Sequence, residues 1–370
     1  MSSQQSLLES TCHRMVLHFS ITLVLLGGVI GRAAGDVRAN AGFPIASPES
    51  QGVSSKRLDE MTVFVQSHDY DVRSLLIVRH GRLILEWYGP GITREHNHNV
   101  FSVTKSVVGL LAGIAIAHEK IDGIQSDLQT LLPGRQALMD ANMRSITLER
   151  LLTMRSGLPV SRANRPTGAP RDRFNRIHQA SDRTRLILRE LVPSSRPDAR
   201  FAYSNIDPHL VAEAISAATG MSLPDYADQT LFGPLEFANT EWRFPDKTNQ
   251  VPGGYGLHLR AIDMAKIGQL MLTRGHWRGK SIIQKDWIDR SIRDQTGTGY
   301  GFYWWVDNKN NVIAAKGVRG QRVFVVPDER MVMVVTANLM SDQVATVTHQ
   351  LLEDYLLPSV IRQSGTRAEP

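Results

Sequence analysis

Thiol chemistry is almost absent from this chain. Its 370 residues include one cysteine, Cys12. One cysteine excludes an internal disulfide framework, so stability must come from the core and the size of the chain. Cys12 also precedes the single long apolar run, so it is not a lipid-attachment cysteine at a cleavage point, and a processed chain has no thiol nucleophile or cysteine-ligated metal. Other motifs are missing too. No Gly-x-Ser-x-Gly elbow occurs, which argues against an α/β-hydrolase. No His-Glu-x-x-His pair occurs, and the twelve histidines are scattered without a ligand cluster; His118 and His178 read as surface or packed residues. There is no zinc-finger spacing, no RNA-recognition signature, no internal repeat and no low-complexity tract, so neither nucleic acid nor any metal or organic cofactor is expected.

What is present is ordinary for a globular protein, with 42% apolar and 21% charged residues. The net charge is +6. From Arg155 to Arg200 there are eleven Arg, no Lys and four acids (Asp172, Asp182, Glu190, Asp198), a local balance of +7 that accounts for the whole excess. This stretch reads as an exposed, solvated loop-and-helix face.

The amino terminus has the form of an export signal. His13 and Arg14 precede an apolar run from Met15 to Ile30, and Ala39-Asn40-Ala41 supplies a small-x-small cleavage site. At 16 residues, interrupted by His18, the run is short for a membrane span. Residues 1–41 are therefore expected to be a signal peptide or an amino-terminal signal anchor. The product would be periplasmic or secreted, with membrane contact only if the segment is retained.

Beyond a Pro- and Gly-marked linker, Ser54 or Ser55 caps a helix through about Gln66. Ser74 to Val78 and Leu83 to Trp87 form a hairpin about His80-Gly81. A helical middle follows: the run after Ser102, a helix begun near Ser145 and ended at Ser156-Gly157, one near Asp182 to Leu191, and one from about Pro208 to Thr219. Gly253-Gly254-Tyr255-Gly256 reads as flexible and Ala261 to Arg274 as an amphipathic helix. Strands are expected at Gly301 to Val306, Asn311 to Lys316, Arg322 to Val326 and Met331 to Ala337, then a closing helix from Val344 to Leu356. Strands at both ends around a helical middle predict an α+β fold. The hydrolase domain would span 42–362, with a sheet lobe from about 53–100 and 253–360, a helical lobe from about 101–252, and a tail at 363–370.

The chemistry centres on Ser102-Val103-Thr104-Lys105 at the head of the apolar run Val107 to Ala117. Ser-x-x-Lys puts a hydroxyl and an amine on one helix face. The helix start offers free N–H groups to a developing oxyanion, and burial lowers a lysine's pKa until its amine can accept the serine proton. The plainer reading is a helix N-cap serine. Tyr203-x-Asn205 adds a phenol able to relay protons, favoured as phenolate by a nearby ammonium, and an amide able to bind a substrate carbonyl. Taken alone, that triplet is equally an aromatic packed ahead of a helix.

In order, Ser102-x-x-Lys105, Tyr203-x-Asn205 and a late glycine-containing strand resemble the β-lactamase-related serine hydrolases. These include class C β-lactamases, D-Ala-D-Ala carboxypeptidases, family VIII esterases and nylon-oligomer hydrolases. The stretches Ile146 to Leu158, Gly256 to Leu272 and Tyr300 to Trp305 resemble them too, so the likeness runs from about Gly52 to Leu357. It implies that family's fold, an antiparallel sheet lobe flanked by helices plus an inserted all-helical lobe, and no cofactor. It implies Ser102 as the acylated nucleophile, Lys105 as its base or base partner, Tyr203 as proton relay, and Asn205 as a substrate-binding residue. In the third motif the family shows Lys-Thr-Gly or His-x-Gly. Here the chain reads Lys316-Gly317-Val318-Arg319-Gly320-Gln321-Arg322, which aligns Gly320 with the family glycine and the Gln321 N–H with the oxyanion hole. Val318 then replaces the cation that helps bind a β-lactam carboxylate, with Lys316 or Arg319 as substitutes. The resemblance thus implies an esterase or amidase acting on a small-molecule ester or amide. Its rivals are a D-Ala-D-Ala carboxypeptidase or β-lactamase, and a non-catalytic penicillin-recognising module.

Overall fold

His80 (φ 51°) and Gly81 (φ 72°) both adopt left-handed backbone, which matches a two-residue hairpin turn to the twist of its strands. They join β1 (Val72–Arg79) to β2 (Arg82–Tyr88). The computed structural model describes residues 42–159, 176–177, 179–193, 200–244 and 250–362. The expected signal segment 1–41, the tail 363–370, His178 and much of the Arg-rich stretch lie outside these residues.

Further along come β3 (Asn97–Asn99), β4 (Glu241–Trp242) and β5 (Leu257–Arg260), which form a small sheet in the order β3-β5-β4. A two-stranded ribbon pairs β6 (His276–Trp277) with β7 (Lys280–Ser281). The last strands are β8 (Trp305–Asp307), β9 (Val312–Gly317), β10 (Gln321–Val326) and β11 (Met331–Ala337). Among the described residues the main sheet is antiparallel, with the order β2-β1-β11-β10-β9-β8. Strands from both ends of the chain therefore meet at β1 and β11, as an α+β fold of this type requires.

Side-chain alternation gives the sheet two apolar faces. Leu76, Val78, Ile313, Ala315, Val323, Val325, Val332 and Val334 join the core of the Val103–Ala117 helix. Leu75, Ile77, Ala314, Phe324, Met333 and Val335 pack beneath the Ser55–Ser67 helix and the carboxy-terminal helical turns. The Ser55–Ser67 helix begins where expected, with Ser54 Oγ accepting the Arg57 N–H.

Several expectations are corrected. Gly301 to Trp304 is a buried turn, with Tyr303 at φ 62°, and only Trp305–Asp307 is strand. The turn forms because Phe302 N–H donates to Ser291 O and Gly301 N–H to Trp304 O, which draws this backbone away from the sheet. The helix begun near Ser145 is capped by Thr147 and ends at Leu152, short of Ser156-Gly157. The Ala261–Leu272 helix is buried along its length from Ala261 to Met271 instead of amphipathic. Its interior charges are mutually satisfied: Asp263 pairs with Lys266 at 2.9 Å and with Arg260 at 2.8 Å. Arg183, in the Arg-rich stretch, is also buried.

Thirteen of the fifteen residues in the Val103–Ala117 helix are buried, which explains why its pattern is apolar all round. Each fully buried Val, Leu or Ile contributes about 1.5–3 kcal/mol, so the helix is a rigid mount for the residues at its head. Its two glycines mark close approaches. Trp287 lies so near Gly113 that a Cβ there would sit 2.3 Å from the indole, and Trp287 Nε1–H donates to Gly109 O at 3.0 Å. Gly113→Ala is therefore expected to destabilise the fold by about 1–3 kcal/mol, the usual cost of overpacking. A lower thermal midpoint by calorimetry checks this; an unchanged midpoint would show that Trp287 yields freely.

Candidate active site

Phe101 stands at φ 47°, a left-handed conformation unusual for a bulky residue, and its N–H donates to Asn99 Oδ1 at 3.0 Å. The strained step turns the chain from β3 into the helix and sets Ser102 at the N-cap position. Ser102 does not act as a cap: its side chain makes no capping bond, and its backbone is helical (φ −74°, ψ −4°). Its Oγ lies 2.9 Å from Lys105 Nζ instead. The Ser102 N–H, at the helix start, has no intrahelical acceptor.

Lys105 is 1% exposed and has no carboxylate partner within ion-pair distance among the described residues. Its Nζ donates to Asn205 Oδ1 at 2.7 Å and to Gly254 O at 2.8 Å. Both of these atoms are acceptors only. A neutral amine can keep its two hydrogens on them and turn its lone pair to the Ser102 hydroxyl, which is the arrangement a base requires. Burial pushes the Lys105 pKa down to about 7.

The Tyr203–Asn205 turn is held by the segment that ends at Leu158. Ala202 N–H donates to Met154 O at 2.9 Å, and Ser156 Oγ–H donates to Asp207 Oδ1 at 2.8 Å. Asn205 then begins the Ile206–Thr219 helix. Tyr203 is 37% exposed as a residue, and its ring stacks on Trp305 at 5.8 Å between centroids. Lys105 Nζ lies 4.9 Å from the Tyr203 centroid. Burial raises the phenol's pKa and outweighs the opposing hydrogen bond with Ser102. The expected phenolate is thus not favoured, because burial disfavours the charged form of the phenol.

Ser102, Lys105, Tyr203 and Asn205 therefore converge. Three other participants were not legible in the sequence. Gly253 and Gly254 read as flexible, yet both mark close packing. A Cβ at Gly253 would lie 1.9 Å from Pro208 O, and one at Gly254 would lie 2.9 Å from Asn205 Oδ1. Their signal was the paired glycine itself, since close backbone approach also demands glycine. Asp207, two residues beyond Asn205, is a fully buried carboxyl that burial raises to about 7.

The late hairpin shows a mixed picture. Gly317 closes on the chain leading into Ser102, where a Cβ would lie 2.4 Å from Val100 O. Gly320 (φ 95°) supplies the turn before β10. The Gln321 side chain faces inward, with Nε2 donating to Ala337 O at 2.5 Å. Val318 is 58% exposed. Neither proposed substitute cation is aimed at Ser102. Arg319 Nη1 donates to Asn338 Oδ1 at 2.6 Å. Lys316 shares the parity of Ala314, the face turned away from the Ser102 helix, and sits over Trp305.

Comparison with known proteins agrees with this architecture. The Beta-lactamase family profile matches residues 61–356. The 6-aminohexanoate-dimer hydrolase of Paenarthrobacter ureafaciens is 21% identical over 301 residues, covering 70% of this chain and 71% of that protein. Among solved structures, EstCE1, a hydrolase with promiscuous acyltransferase activity, superposes with a TM-score of 0.68 at 18% identity, covering 85% of this chain and 99% of that one. A class C β-lactamase from Rhodobacter sphaeroides gives a TM-score of 0.60 at 17% identity, covering 82% and 100%. At these identities the structures establish the shared fold, and the profile spans most of the chain. The chain belongs to the Beta-lactamase family, as a β-lactamase-type serine hydrolase.

Proposed function

We propose that this protein cleaves an ester or amide through an acyl-enzyme on Ser102. The observation that carries the reading is the Lys105 amine, buried without a counter-charge, 2.9 Å from a serine hydroxyl that caps nothing. In the proposed cycle neutral Lys105 takes the Ser102 proton as Oγ attacks the substrate carbonyl. The oxyanion is met by the Ser102 N–H and by a backbone N–H of the 317–321 hairpin. The sequence alignment names Gln321 as that second donor; the close approach of Gly317 to Val100 favours its neighbour Val318. Tyr203, held as a neutral phenol, donates a proton to the leaving group and is reprotonated by the Lys105 ammonium, which restores both groups. In deacylation neutral Lys105 takes a proton from the attacking water and returns it to Ser102 Oγ as the acyl bond breaks. Asn205 spends Oδ1 on Lys105, which leaves its N–H₂ to bind the substrate carbonyl.

An uncharged leaving-group side suits the mouth of the site. Val318 is exposed there, Arg319 is tied to Asn338, and Lys316 lies behind Trp305. This favours an esterase or amidase over a β-lactamase or D-Ala-D-Ala carboxypeptidase, whose substrates present a carboxylate. The relatives named as a 6-aminohexanoate-dimer hydrolase and a promiscuous hydrolase support the same branch. An exported location rests on the sequence of residues 13–41 alone.

Turnover assays with a short-chain p-nitrophenyl ester, a linear amide dimer and benzylpenicillin test the reading, together with mass spectrometry of the intact protein. Ester or amide turnover without a lasting penicillin adduct is expected. Rapid penicillin hydrolysis, or a stable penicilloyl adduct, would move the protein to the β-lactamase or carboxypeptidase branch.

A further inference from the structure

The face of the sheet turned away from Ser102 carries charge that the catalytic centre does not use. Side-chain alternation puts Val312, Ala314 and Lys316 of β9 on this face with Arg322 and Phe324 of β10. Lys316 and Arg322 are cross-strand partners, directly opposite in register. Like charges so placed destabilise a sheet unless something compensates them.

Among the described residues neither has an ion pair, and Asp307 acts on Lys316 only from beyond ion-pair distance. Arg322 is 8% exposed, and burial lowers its pKa to about 10. Its Nη1 donates to Gly317 O at 2.6 Å and to Gln321 O at 2.8 Å, which leaves Nε and Nη2 uncommitted. Lys316 Nζ lies 5.2 Å from the Trp305 ring centroid and has no ion pair. Burial and the nearby Arg322 both push its pKa down. Arg322, a buried cation without a paired anion, is costly to the fold.

Both side chains line a cavity of about 590 Å³ between β8–β10 and the Ser341–Gln350 helix with the turns that follow it. Carboxylates also line it, but each is already engaged. Asp294 accepts N–H bonds from Thr296, Gly297 and Gly299. Asp307 accepts those of Lys309 and Asn310. Glu353 pairs with His349 Nε2 at 3.1 Å.

We propose that this cavity binds a small oxyanion, a phosphate or carboxylate group, between Arg322 and Lys316 and against Trp305. Arg322 presents two adjacent N–H directions, the geometry that suits a two-oxygen anion, and Lys316 adds a charge from the rim. The cavity shares walls with the catalytic centre: Trp305 stacks on Tyr203, and the carbonyls held by Arg322 belong to the hairpin beside Val100. The binding itself does not depend on Ser102.

Isothermal titration calorimetry of the folded protein with sodium phosphate and with sodium succinate, at ionic strength matched by sodium chloride, tests this. Saturable one-site binding of at least one of them is expected; which one binds distinguishes a phosphate from a carboxylate ligand. Lys316→Ala is expected to weaken binding about 5-fold and Arg322→Lys about 10-fold, because lysine loses the two-pronged geometry. Asp307→Asn, which keeps its turn but removes the carboxylate that tempers Lys316, should tighten binding about 2-fold. Ser102→Ala should bind as the parent does, so failure of the hydrolase reading and failure of this one are separable. Absence of saturable heat with both anions would overturn the proposal. So would affinity unchanged in a Lys316→Ala protein whose thermal melt matches the parent's.

Discussion

Ser102→Ala is expected to lower ester turnover by about 10⁴-fold or more and to abolish labelling by a fluorophosphonate. Removing the nucleophile of a unit that acts together costs about as much as removing the whole unit. The change deletes one oxygen and its hydrogen bonds, to Lys105 at 2.9 Å and to the Tyr203 phenol, and keeps the Ser102 N–H and the helix start. Stability should move by no more than about 3 kcal/mol, the net worth of two such bonds. The variant therefore separates chemistry from folding. A labelled adduct on another residue, or turnover within ten-fold of the parent in a protein with an unchanged melt, would place the nucleophile elsewhere.

The second large effect belongs to Lys105. Burial disfavours its ammonium, so the folded-state pKa falls from the ordinary lysine range to about 7. The amine is then charged and inert below that pH and neutral above it. With Lys105 as the base, kcat/KM rises about ten-fold per pH unit on the acid side and levels above about 7. Lys105→Ala should cost about 10²–10⁴-fold, the usual contribution of a positioned base, and should lose this ascending limb. It also leaves Asn205 Oδ1 and Gly254 O without their shared donor, so a melt must accompany the assay. Methylamine added to the Ala variant supplies a small amine to the vacated space and is expected to restore part of the rate. Activity within ten-fold of the parent, or a profile flat through pH 7, would remove Lys105 from the role of base.

The raised phenol of Tyr203 fits this division of labour. One amine driven down and one phenol driven up suit the proposed roles of base for Lys105 and acid for Tyr203 at neutral pH. Asp207 lies behind them, with Ser156 donating to one carboxyl oxygen, in the turn that aims Tyr203 and Asn205. Its connection to the site is structural, through the start of the Ile206–Thr219 helix.

Local chemistry explains which features were legible. His80-Gly81 between two apolar runs specifies its hairpin through backbone preference, and Ser54 caps its helix through a local side-chain bond to the Arg57 N–H. Ser102 and Lys105 share a face because a helix turns every 3.6 residues. Gly301 to Trp304 misled because aromatic residues suit strands as well as buried turns, and only the bonds to Ser291 and within the turn choose between them. The Ala261–Leu272 helix misled because Asp263 and Lys266 look solvent-facing until Arg260 and a buried pair account for them.

By itself, then, the sequence determined the order of elements, the α+β class and the pairing of a serine with a lysine one turn apart. These follow from short-range periodicity and capping. Tertiary structure decided the rest. It stripped Lys105 of water and of any counter-ion, brought Asn205 and Gly254 to it across 100 and 149 residues of chain, and turned Lys316 to the far face of the sheet. A lysine's charge state and a strand residue's side depend on what packs around them, and that is settled only when distant segments meet.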